Sequence, residues 1–62
     1  MRSHEIIKRL EADGWIRLRQ KGSHIQFGHP TKKGRVTVPH PKKDMTIRTI
    51  KSIEKQSGLN LL

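Results

Sequence analysis

The sequence predicts an α+β domain of order α-β-β-β-α: a three-stranded antiparallel sheet with two helices on one face. Three observations carry this expectation: an apolar stripe of helical spacing near each end, three short alternating stretches between them, and connectors too short for a crossover. Ile6, Ile7 and Leu10 mark one face of a first helix over roughly residues 3–13. Ser3 is its expected cap, and Gly14 supplies the left-handed residue that commonly ends a helix.

The strands follow in order. In Trp15-Ile16-Arg17-Leu18-Arg19, Ile16 and Leu18 are expected to point inward while Arg17 and Arg19 point out. In His24-Ile25-Gln26-Phe27 the inward pair is Ile25 and Phe27, and in Arg35-Val36-Thr37-Val38 it is Val36 and Val38. Turn formers separate the strands: Lys21-Gly22-Ser23, then Pro30-Thr31-Lys32-Lys33-Gly34. Pro39-His40-Pro41 ends the last strand, since proline cannot donate to a ladder. A second helix carries Ile47, Ile50 and Ile53, with Thr46 or Thr49 as cap and Gly58 as stop; Glu54 narrows its apolar face.

Sixty-two residues, 1–62, make one small domain with a thin core, since the hydrophobic set is only 31%. Charge is more informative. Fourteen Lys and Arg against five Asp and Glu leave a net +9, an excess that suits a polyanionic partner. From Gly14 to Lys43 there is no acid, while Arg17, Arg19, Lys21, Lys32, Lys33, Arg35, Lys42 and Lys43 supply eight cations. With no cysteine there is neither a disulfide nor a thiolate metal site. No apolar run approaches a membrane span and no signal-peptide pattern opens the chain, so a soluble, cytoplasmic protein without membrane contact is expected.

If helices cover one face of the sheet, the other displays Arg17, Arg19, His24, Gln26, Arg35 and Thr37. The carboxylates are too scattered for a metal cluster or an acid/base pair, and there is no phosphate-binding glycine loop, so no metal or cofactor is expected. Histidine is the remaining candidate base. His4 reads as a surface residue, and His29 and His40, each beside proline, as structural or surface residues. His24 follows a flexible turn, opens a strand and projects among cations, where the neutral imidazole can accept a proton.

RNA suits such a base. Its 2′-hydroxyl is an internal nucleophile, so one proton abstraction starts cleavage to a 2′,3′-cyclic phosphate and a 5′-hydroxyl. The backbone N–H groups of Gly22 and Ser23, the Ser23 hydroxyl and Lys21 are placed to stabilise the phosphorane, while Arg17, Arg19, Lys32, Lys33 and Arg35 are candidate phosphate contacts. The general acid stays open among His29, His40, a lysine and water.

These residues resemble the HicA family, the mRNA-cleaving toxins of bacterial and archaeal toxin–antitoxin pairs. The likeness rests on Gly14-Trp15 after the first helix, then Gly22-Ser23-His24 followed by Phe27 and His29-Pro30. Val36-Thr37-Val38-Pro39-His40 and a closing helix through Lys55-Gln56-Ser57-Gly58 complete it. Glu54, where an apolar residue is common, and Arg48, where glycine is frequent, depart from the pattern. The resemblance implies a double-stranded-RNA-binding-domain-like fold, His24 as the catalytic residue, and cleavage of mRNA without a required metal. It also implies a HicB antitoxin that binds the otherwise monomeric toxin and covers the histidine. A non-catalytic RNA-binding module would use the same cations. A DNA-binding regulator is disfavoured, because neither helix carries the Arg, Asn and Gln cluster of base readout.

Overall fold

The apolar stripes of the sequence become helices at both ends of the chain. In the computed structural model, which describes residues 1–62, helix α1 spans Ser3–Ala12 and helix α2 spans Ile47–Ser57. Between them run strands β1 (Ile16–Lys21), β2 (His24–Gly28) and β3 (Val36–Pro39), paired antiparallel in the order β1-β2-β3. Ile6, Ile7 and Leu10 of α1 and Ile50 and Ile53 of α2 close on Ile25, Phe27, Val36 and Val38, together with Trp15, Met45 and Leu61. The helix side of β2 and β3 is thereby buried and the opposite face of the sheet left open.

Helix α1 ends as Asp13-Gly14-Trp15 dictates. The Trp15 N–H donates to the Leu10 carbonyl and the Gly14 N–H to the Glu11 carbonyl, both at 3.0 Å, with Gly14 at φ +100°. This paired closure satisfies two end carbonyls and drops Trp15 onto Leu10 in the core. The start differs from expectation. Arg2 is the cap, its N–H held by the Glu5 carboxylate at 2.8 Å, and Ser3 is the first helical residue. Ser3 is buried; its Oγ accepts from the Lys42 N–H at 2.9 Å and bonds His40 Nδ1 at 2.7 Å. It fastens the segment after β3 to the helix instead of capping it.

Helix α2 is capped by Thr46, whose Oγ1 accepts from the Thr49 N–H at 3.2 Å, and ends at Gly58, φ +78°. Ile47 does not join the core: it is 64% exposed, because the helix turns the Ile50 and Ile53 face inward. Glu54 accepts from the Leu61 and Leu62 N–H groups at 2.7 and 3.2 Å, folding the C-terminal tail back so that Leu61 is buried. Those two donors hold its carboxyl below the usual glutamate range.

Strands β1 and β2 are joined by a two-residue turn, Gly22-Ser23, with Lys21 opposite His24. Gly22 sits at φ +58°, the glycine-first turn whose twist matches a hairpin. Farther down, Arg17 pairs with Phe27 but Arg19 with Gln26, so Leu18 is the extra residue of a bulge. The bulge corrects the expected facing of β1. Directly paired residues share a face, so Arg19 and Lys21 lie on the open side with Gln26 and His24, whereas Arg17 lies on the helix side with Phe27. Ile16 pairs with Gly28 and, like Leu18, stays exposed instead of entering the core.

Candidate active site

The open side of the hairpin end forms a shallow concavity lined by Arg19, Lys21, His24, Gln26 and Thr37. The register builds it directly. His24 and Gln26 are alternate residues of β2; Lys21 and Arg19 face them from β1, and Thr37 faces Gln26 from β3. No lining side chain is acidic or apolar. The exposed His24 ring is thus flanked by two cations and two neutral hydrogen-bonding groups, a setting suited to phosphate and ribose hydroxyls together. Gln26 and Thr37 were legible as members of the open face, but their closure around His24 depends on strand register.

The turn above His24 is held through its two carbonyls. The Ser23 carbonyl accepts from the His40 N–H at 2.6 Å, and the Gly22 carbonyl accepts from Gln20 Nε2 at 3.1 Å. The Gly22 and Ser23 N–H groups donate to no group of the chain, which leaves them available to an anion.

Two of the other histidines have structural tasks. His29 Nε2 donates to the Asp13 carbonyl at 2.7 Å, while its Nδ1 accepts from the Thr31 and Lys32 N–H groups, each at 3.1 Å. Its ring also meets Trp15 edge-on, centroids 5.1 Å apart. His40 is held by buried Ser3. His29, with both ring nitrogens engaged, drops out as a general acid, whereas His40 is bonded through Nδ1 alone; His24 is the histidine the concavity contains.

The cations divide similarly. Arg19 and Lys21 line the concavity; Arg35 lies on the same face near Gly28, 3.6 Å from the point a Cβ there would occupy. Arg17 is exposed on the other face, and Lys33 is exposed in the β2–β3 connection. Lys32 is not a free phosphate contact: its Nζ donates to Asp13 Oδ2 at 2.6 Å and to the Ser57 carbonyl at 3.2 Å, tying both helix ends to the loop. That contact holds the Asp13 carboxyl below its usual range. The Glu5 carboxyl is likewise lowered by the Arg2 N–H. Three of the five acids, Glu5, Asp13 and Glu54, are therefore engaged in structural contacts away from the open face. No three carboxylate or imidazole side chains come together as a ready metal cage, and no helix is long and apolar enough to cross a membrane.

The family model described as the HicA toxin of bacterial toxin–antitoxin systems matches residues 3–59. A solved structure described as the HicA3 and HicB3 toxin–antitoxin complex is similar at 35% identity and a TM-score of 0.76, with all of both chains covered. Among curated protein sequences none matches.

Proposed function

The chain belongs to the HicA toxin family of toxin–antitoxin systems, and on that premise we propose that it is an endoribonuclease that cleaves mRNA with His24 as general base. The observation that carries the reading is the exposed His24 imidazole in an acid-free concavity with Arg19 and Lys21. The imidazole takes the proton of a ribose 2′-hydroxyl. The 2′-oxygen attacks the adjacent phosphorus, and the bond to the 5′-oxygen breaks, giving a 2′,3′-cyclic phosphate and a 5′-hydroxyl end. Arg19, Lys21 and the unpaired Gly22 and Ser23 N–H groups stabilise the added charge on the phosphorane, with the Ser23 hydroxyl beside them. Lys21, directly across from His24, is the nearest candidate to protonate the leaving oxygen. Arg17, Lys33 and Arg35 add longer-range attraction for the polyanion.

Cleavage of mRNA would arrest translation and growth, the role of the toxin in such pairs. The partner proposed is a HicB-type antitoxin, as in the solved relative. An acidic surface on it would associate quickly with a +9 domain and shut RNA out by covering the concavity.

The test is a comparison of the purified chain with its His24→Gln variant. Wild-type protein should generate new 5′-hydroxyl ends in RNA, and the variant should lose about 10²–10⁴-fold in rate while keeping its fold and its affinity for uncleavable RNA. Equal cleavage by both would overturn the assignment of the base. Binding without new ends in wild type would favour the non-catalytic module, which uses the same cations.

A further inference from the structure

A second concavity lies on the same open face, beyond the His24 site toward the other end of β2. It is lined by Ile16, Leu18, Gly28, His29, Pro30 and Arg35. Ile16 and Leu18 are 56% and 50% exposed, two large apolar side chains side by side in a chain with a thin core. Gly28 forms the floor. A Cβ there would come within 2.9 Å of Leu18 Cδ1 and 3.6 Å of Arg35 Nη1, so a side chain of β1 and one from the residue before β3 flank the bare backbone. His29 closes one end, and both of its ring nitrogens are already hydrogen-bonded to backbone, so it adds no free polar atom.

We propose that this pocket is a nucleobase subsite, holding one base of a single-stranded RNA whose phosphates run along Arg19, Lys21 and Arg35. The proposal rests on the ribonuclease reading for the identity of the polymer. Charge complementarity selects the occupant: Arg35 lines the pocket, Arg19 and Lys21 line the neighbouring His24 concavity, and no acid lines either. An apolar floor and wall fit the face of a base, and a guanidinium beside them can stack on that base or pair with its phosphate. Continuity fixes the path. His24, Gln26 and Gly28 are alternate residues of one strand face, so the pocket lies about 13 Å from His24 along β2 and takes a base displaced from the scissile bond. The bulge at Leu18 creates the pocket, because it puts Leu18 over Gly28 while Arg19 stays on the open face. The subsite supplies base-dependent affinity to a face whose remaining contacts read only phosphate and ribose.

The experiment uses two uncleavable single strands of equal length, both 2′-O-methylated, one bearing bases and one fully abasic. Wild-type protein should bind the base-bearing strand about fivefold to tenfold more tightly. Leu18→Ser should bind both strands alike, at the affinity of wild type for the abasic strand; Ile16→Ser provides a second, independent variant. Both positions are half exposed, and unchanged melting temperatures would show that folding is intact. Wild-type protein indifferent to the bases would overturn the subsite, as would variants that keep the full preference. Loss of antitoxin affinity in Leu18→Ser with base preference intact would also overturn it, by making the patch a protein-docking surface. Because neither strand can be cut, a chain that cleaves no RNA yet shows the base preference upholds the subsite while the ribonuclease reading fails.

Discussion

Strands β1 and β3 are the two edges of one sheet, and they are treated in opposite ways. Val36 and Val38 of β3 are buried under both helices, and the Thr37 N–H at its outer edge is taken by Gln56 Oε1 of α2 at 3.0 Å. Every residue of β1 is exposed. The helices lean over β3, so one edge is closed by the fold and the other is left to charge, a bulge and whatever binds there. Arg17, Arg19 and Lys21 discourage another strand from pairing with β1, the usual protection of an open edge. Stability therefore resides on the β3 side, while the residues proposed for RNA cluster toward β1. A domain this small can keep an adaptable functional edge because its core does not depend on it.

The largest effect should separate those two edges. Val36→Ala with Val38→Ala removes four buried methyl groups and should cost about 3–4 kcal/mol. A chain of this size has about 3–9 kcal/mol in total, so the double variant should lose at least about a third of its stability. Ile16→Ala with Leu18→Ala on β1 should cost no more than about 1 kcal/mol. Urea titrations of both would reveal any hidden reliance of the core on β1, since equal losses would contradict the division.

The next contrast lies between the two glycines that flank β1. Gly14 sits at φ +100°, and an added Cβ would come 2.9 Å from His29 Nε2, the atom that donates to the Asp13 carbonyl. Gly14→Ala should cost about 2–3 kcal/mol, because strain and the displaced histidine add. Gly22 also has a positive φ, but nothing lies within 4 Å of its Cβ position. Gly22→Ala should cost about 1 kcal/mol and mainly perturb the turn above His24. Thermal melts would rank them, and reversed order would mean the His29 contact holds little together.

These contrasts also mark what was legible in the sequence. Ile25 and Phe27, Val36 and Val38, the Thr46 cap and the Gly14 and Gly58 stops all stand where alternation and turn chemistry put them, because each signal is local. His24 on the open face followed from the same alternation. The facing of β1 did not, because a bulge is a property of two paired strands and leaves no mark on the alternation of one. Lys32 looked like a phosphate contact because its partners, Asp13 and the Ser57 carbonyl, are distant in sequence. Ser3 resembled a cap for the same reason: only the folded chain brings Lys42 and His40 to it.

The smallest effect concerns Glu54, a break in the apolar pattern of α2 that proves to hold the tail. Its carboxylate accepts from the Leu61 and Leu62 N–H groups, and these lower its pKa in the folded chain. In the unfolded chain those donors are lost and the pKa returns to the ordinary glutamate value. The unfolded state therefore takes up the proton first as pH falls. The stabilisation is full above the ordinary value and is lost as pH drops through the lowered, folded one. Followed by NMR, the Leu61 amide shift should titrate with a midpoint below the ordinary glutamate range, and Glu54→Gln should abolish that titration. A midpoint at the ordinary value would mean that the tail bonds form without favouring the charged carboxyl.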